Sequence, residues 1–276
     1  MIKTFKLIYL LAILPVLLFS ACEKDGTHIM PTLKAINKNF DIRGFVLGDT
    51  LEQYFDGVKV RDFYGQVRTT GSMNQLAFVK DDINMELRKK STGETIYRQK
   101  FNINDKESIV PNFYFDGAKL SNQYTYPSPE GNAYTINFYM EPSTTATPFT
   151  VNVEILEYLY DDTKPDPIIV VSTKVIPVME NIQPGSWSAY KEIKVPVFQD
   201  QTQSGTDFYP IVVVRDAKTK EYYVNNNRDQ STISSIELPY DGVSAGKVQS
   251  MYLNRKQVSA KTYFLESYEL VQLFPR

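Results

Sequence analysis

Ile83-Asn84-Met85-Glu86-Leu87-Arg88 alternates apolar and polar side chains without a break. Tyr134-Thr135-Ile136-Asn137-Phe138-Tyr139-Met140 does the same, except that Tyr139 falls on the polar face. Period two marks a strand with one buried face, because successive side chains leave a pleated strand on opposite sides. Working outward, similar short segments occupy 41–46, 58–63, 76–79, 95–101, 151–160, 168–176, 192–197, 210–215, 233–238 and 248–253. Turn residues separate most of them. Ser91-Thr92-Gly93 reads as a hairpin between two strands, and Asp216-Ala217-Lys218-Thr219-Lys220 as a longer one. No window carries an apolar helical stripe of 12 or more residues. The nearest, 265–274, reads equally as a strand with Leu265, Val271 and Leu273 on one face. Many short strands with regular turn signals predict an all-β fold, here two β-sandwich (Ig-like) domains.

The boundary between them is set by Ser121-Asn122-Gln123-Tyr124-Thr125-Tyr126-Pro127-Ser128-Pro129-Glu130-Gly131, rich in Pro, Ser, Asn and Gly. It reads as an interdomain linker over 119–131, or else as a long loop inside one domain. The linker reading gives an N-terminal domain at 32–118 and a C-terminal domain at 132–276. Two echoes cross the boundary. Arg88-x3-Thr92-x-Glu94 and Arg215-x3-Thr219-x-Glu221 share spacing. Tyr54-Phe55-Asp56-Gly57, Tyr114-Phe115-Asp116-Gly117 and Pro239-Tyr240-Asp241-Gly242 share an aromatic-Asp-Gly ending. Asp-Gly suits tight turns, since Gly accepts positive φ and Asp bonds its own backbone. Convergent turn chemistry and duplication of one sandwich both account for these echoes.

The chain opens with Lys3 and Lys6, an apolar run from Leu7 to Phe19 broken by Pro15, and then Ser20-Ala21-Cys22. A basic start, a short apolar stretch and small residues at the cut describe a secretory signal over 1–21, too short to span a bilayer as a helix. Ser20-Ala21-Cys22 resembles the lipobox of bacterial lipoproteins, with Phe19 where Leu is usual. The resemblance implies acylation of Cys22, a lipidated tether over 22–31 and attachment to the outer membrane through acyl chains. The charged Glu23-Lys24-Asp25 resembles the surface-export signals of Bacteroidota lipoproteins, which implies a cell-surface address. Asp49-Thr50-Leu51 resembles the O-glycosylation tripeptide of the same group.

Composition removes several function classes. Beyond the signal the chain carries 28 basic against 32 acidic residues, with no long run of either sign. Nucleic acid needs clustered Lys and Arg, so it is not an expected partner. Cys22 is the single cysteine and is assigned to lipid, which leaves no thiol for catalysis or a cysteine metal site. The single histidine, His28, lies in the tether. Imidazole-based triads and histidine zinc sites therefore have no histidine in the predicted fold. There is no Gly-rich phosphate loop, no Gly-x-Ser-x-Gly and no His-Glu-x-x-His. Carboxylate-only chemistry survives, because glycoside hydrolysis needs two Asp or Glu and no histidine.

Aromatic loop residues supply the candidate site. Trp187 is the only tryptophan and stands in Gln183-Pro184-Gly185-Ser186-Trp187-Ser188-Ala189-Tyr190. A loop indole offers its face to the C–H groups of a sugar, and Tyr190 supplies a second plate. The alternative is a ring folded back to plug the sandwich. Tyr124 and Tyr126 sit in the linker, where they either line an interdomain cleft or pack the domains together. Asp161-Asp162-Thr163-Lys164-Pro165-Asp166 gathers Asp161, Asp162 and Asp166 on one loop, a weak calcium candidate without EF-hand spacing. No other cofactor is expected. The sequence thus predicts a lipid-anchored, non-catalytic, carbohydrate-binding protein. Its rivals are an adhesive or scaffold lipoprotein with a protein partner, and a histidine-free glycoside hydrolase.

Overall fold

The computed structural model describes residues 35–70, 74–128, 130–131, 133–194, 200–234, 236, 246–260 and 262–275. The signal, Cys22, the tether with Glu23-Lys24-Asp25 and His28, and the Pro239-Tyr240-Asp241-Gly242 echo lie outside them. In chain order the strands are β1 (Ile36–Phe55), β2 (Val58–Thr69), β3 (Gln75–Phe78), β4 (Asp82–Lys89) and β5 (Thr95–Asn102). Then come β6 (Ser108–Ile109), β7 (Phe113–Phe115), β8 (Leu120–Ser121), β9 (Tyr134–Met140) and β10 (Phe149–Tyr160). The last are β11 (Ile168–Ile182), β12 (Lys191–Ile193), β13 (Asp207–Asp216), β14 (Val248–Gln257) and β15 (Tyr263–Glu269). Two 3-10 turns, Asp229–Ser231 and Leu270–Gln272, are the only helical pieces among the described residues. The fold is all-β, as the alternating patterns predict.

Strands β1 to β8 form one eight-stranded sheet around β1, with β5-β4-β1-β7-β8 as its path. β10 is flanked by β11 and β13 in a second sheet, and β12-β9-β14-β15 form a third. Among the described residues no strand of the first sheet pairs with one of the other two. Leu120 and Ser121, inside the expected linker, pair with Phe115 and Tyr114 as the last strand of the first sheet. Phe40, Ile42, Leu51, Phe78, Met85 and Phe101 anchor the first core. Ile136, Phe138, Phe149, Val153, Val214 and Leu253 anchor a second core between the other two sheets. A third cluster joins the first sheet to the β12-β9-β14-β15 sheet: Phe45 and Leu47 from β1, Tyr139 from β9, Tyr252 from β14, and Leu270 and Phe274 beyond β15.

β1 runs far past the expected 41–46 because its pairing with β2 tolerates an irregularity between Val46 and Leu51. Gly48 sits there at φ +77°, and a Cβ on it would stand 2.8 Å from the Asp116 carbonyl oxygen. Only glycine permits that approach. Asp56 and Gly57, both at positive φ, join β1 to β2 as a two-residue hairpin turn. The 233–238 strand does not form over its described part. Ile233 donates its N–H to the Val212 carbonyl at 2.8 Å, and only Thr232 bridges Val213, so this stretch caps β13 as a loop. The 265–274 stretch divides between both of its readings. It is strand to Glu269, and then the N–H groups of Leu273 and Phe274 turn back onto the Leu270 carbonyl.

Candidate functional site

β11 ends at Ile182, and the chain returns through Gln183–Tyr190 to β12. This loop is pinned along β9. The Gly185 N–H donates to the Met140 carbonyl, and the Ser188 N–H to the Phe138 carbonyl, both at 2.9 Å. The Phe138 N–H donates to Ser188 Oγ at 3.0 Å. Gly185, at φ +84°, makes the turn that lets the loop follow the edge. Trp187 is thereby held on a fixed backbone rather than on a free tip.

All four aromatics expected from the sequence meet in one place. The Trp187 ring packs against Tyr139 at 5.4 Å and Tyr124 at 6.2 Å between centroids. Its Nε1–H donates to Tyr114 Oη at 2.9 Å. Tyr124 meets Tyr114 and Tyr126 edge-on, at 5.0 and 4.9 Å. The hydroxyls of Tyr190 and Ser250 lie 2.6 Å apart, and Ser250 Oγ reaches Tyr124 Oη at 3.2 Å. Tyr126 Oη donates to the Phe274 carbonyl at 3.0 Å. Burial pushes the Tyr114, Tyr139 and Tyr190 hydroxyls well above the ordinary phenol range. They stay protonated across the physiological range, so the cluster holds no phenolate charge.

The inner side of Trp187 is therefore committed to packing, as one of the two sequence readings anticipates. Its outer side is not. Trp187 and Tyr190 are half-buried and border a groove of about 420 Å³ between the end of β11 and β12. Glu180, Asn181, Gln183, Ser186 and Lys191 stand on its exposed rim. Gln183 Nε2 donates to Asn181 Oδ1 at 3.2 Å, which orients both amides. Asn181 itself holds φ +52°, a left-handed conformation that asparagine adopts more readily than most residues. An aromatic wall with amides, a carboxylate, a hydroxyl and an ammonium on one rim can stack on apolar C–H faces and bond hydroxyl groups.

Sequence reading missed the rim and the partners Tyr114, Tyr139 and Tyr252. One signal was present: Tyr139 is the residue that breaks the β9 alternation, and it stacks on Tyr252 at 5.8 Å and 16°. The Asp161–Asp166 loop is placed elsewhere and turns two of its three Asp carboxylates, Asp161 and Asp166, onto itself. Asp161 Oδ1 accepts from the Thr163 N–H and hydroxyl at 3.1 and 2.6 Å, and Asp166 Oδ1 from the Ile168 N–H at 3.4 Å. Among the described residues, no three His, Cys, Asp or Glu side chains converge in a metal-binding arrangement.

No protein-family model matches the chain. No curated protein matches it either. Two crystal structures from Bacteroides show remote similarity. One, from Bacteroides fragilis and provisionally named a cell adhesion protein, is 10% identical with a TM-score of 0.24, covering 82% of this chain and 85% of that one. The other, from Bacteroides ovatus and provisionally named an adhesin, is 10% identical with a TM-score of 0.23, covering 82% and 95%. At such values the likeness carries no argument about shared architecture or activity.

Proposed function

We propose that the protein is a lipid-anchored, non-catalytic binding module of the cell surface, held at the outer membrane through Cys22. It takes glycans in the groove between β11 and β12. One observation carries this reading: the half-buried faces of Trp187 and Tyr190 border a groove whose rim carries Glu180, Asn181 and Gln183. The rings supply a stacking plane, and the amides and carboxylate bond the sugar hydroxyls around it. Of the described groove residues only Glu180 is a carboxylate, whereas glycoside hydrolysis uses a facing pair. That supports binding over cleavage. The same reading divides the chain at 119–131 into units of 32–118 and 132–276, with the aromatic cluster packed between them.

Native gels cast with neutral plant polysaccharides and with mucin glycans test the proposal on the full chain. Retardation by one polymer class is expected, and Gln183→Ala should weaken it about tenfold without loss of fold, because Gln183 is exposed. Such a loss corresponds to about 1.4 kcal/mol, within the range for the net contribution of one hydrogen bond. Equal mobility in every gel would overturn the reading.

A further inference from the structure

The exposed large apolar side chains among the described residues are not scattered. Of thirteen, Ile36, Val58, Val60 and Val79 fall on β1, on β2 and just past β3, while Tyr160, Ile168, Ile169, Val171, Val175 and Tyr209 fall on β10, β11 and β13. Single exposed apolar residues need no explanation, but contiguous groups mark interaction sites. The two groups differ in shape. At the first, Phe40, Phe55, Val60, Leu76, Val79 and Ile83 line a groove of about 290 Å³. The second is a hairpin end, where Tyr160 pairs with Ile168 and Tyr160 is 69% exposed.

Their charges also differ. Asp56, Arg61 and Lys80 are the ionic residues lining the groove. Lys80 and Asp56 pair at 3.2 Å, whereas Arg61 reaches only the Asn74 amide oxygen, at 3.2 Å, and pairs with no carboxylate among the described residues. The groove thus carries one uncompensated positive charge. The loop joining β10 to β11 holds Asp161, Asp162, Asp166 and Lys164, a net negative charge at the tip. Asp162 forms no ion pair among the described residues. An apolar groove with a positive rim and an exposed apolar hairpin end with a negative tip are complementary in sign.

We infer that the occupant of the groove is a second copy of this chain, which inserts its β10–β11 hairpin tip beside Arg61. The two surfaces come from different sheets, so the contact is heterologous. Each contact leaves one groove and one tip free, and copies add head to tail rather than closing as a two-fold dimer. Apolar burial supplies the affinity, and Arg61 with Asp162 sets the register.

Sedimentation velocity of the full chain in detergent tests this, using Val60→Asp in the groove and Ile169→Asp on the hairpin. Both residues are exposed, and an unchanged far-ultraviolet dichroism spectrum verifies their folds. The wild-type chain is expected to grow beyond the dimer as concentration rises, and each variant alone to remain monomeric. An equimolar mixture of the two should form dimers and nothing larger, since one supplies the only sound groove and the other the only sound tip. Arg61→Glu should weaken wild-type association, and Asp162→Arg added in the same chain should restore it. A wild-type chain that stays monomeric, a single variant that associates like wild type, or a mixture without dimers would each overturn the inference.

Discussion

A methyl group added at Gly65 would stand 2.2 Å from the Tyr252 hydroxyl, on a backbone held at φ +71°. Gly65→Ala should therefore destabilise the fold by about 1–3 kcal/mol, read as a lower urea midpoint. An unchanged midpoint would mean that the β2–β14 contact is loose. Glu157 poses a different residue-scale question. Burial would raise its pKa, but hydrogen bonds from the Ser172, Thr206 and Thr202 hydroxyls and the Thr202 N–H outweigh that and bring it from 4.5 down to about 2. Those bonds run from 2.6 to 2.8 Å. A lowered native pKa gives stability that is present above the unfolded value and lost as pH falls toward the native one. Denaturation midpoints should thus fall between about pH 4.5 and 2, and Glu157→Gln should flatten that limb. An identical limb in the variant would assign the acid sensitivity to other groups. Neither residue announced itself in the sequence. Gly65 is one of thirteen glycines, and Glu157 meets Thr202 and Thr206 only after the chain has folded. Tyr139 did announce itself, because an aromatic on the polar face of a strand needs a second apolar surface to cover it.

Turns and strands were legible where their chemistry is local. Asp56-Gly57 and Ser91-Thr92-Gly93 form their hairpins because the residues that accept positive φ stand where the chain must reverse. The two Arg-x3-Thr-x-Glu echoes also converge in chemistry. The Arg88 guanidinium lies 4.2 Å from the Tyr54 ring centre and binds Glu86. That of Arg215 lies 3.9 Å from the Tyr222 ring centre and binds Glu154. The second pair is the costlier to break, because the Glu154 side chain is fully buried. Arg215 donates to it at 2.6 and 2.8 Å, and Tyr222 Oη at 3.0 Å. Arg215→Ala should cost about 3 kcal/mol by leaving that carboxylate unpaired, and adding Glu154→Gln should recover part of the loss. Simple additivity of the two substitutions would show that the pair is not coupled. What local pattern could not give is tertiary choice. The 233–238 stretch has the composition of a strand, yet its first residue, Ile233, gives its N–H to the Val212 carbonyl of β13 and continues no ladder over the described residues. β1 crosses an irregularity that Gly48 alone makes possible.

At the scale of the molecule, two apolar cores are joined by a cluster of a different kind, rich in tyrosine and threaded with hydroxyl contacts. Sequence reading found Trp187 and Tyr124 of that cluster, and Tyr126 and Tyr190 that contact Tyr124, because each stands in a loop where no strand period demands an aromatic. It could not place them together, since the contacts join residues from Phe45 to Phe274. The cluster holds Trp187 rigid from behind while its outer face borders the groove. Rigid rings bind with little loss of conformational freedom, which suits the proposed role of the groove. Because Trp187 is the only tryptophan in the chain, its emission reports on that groove alone. The most direct measurement is a fluorescence titration of the full chain with the polysaccharide that retards it. The account predicts a saturable blue shift as the indole loses water, weakened in Gln183→Ala. Emission unchanged at every concentration, for every polymer of the panel, would contradict it.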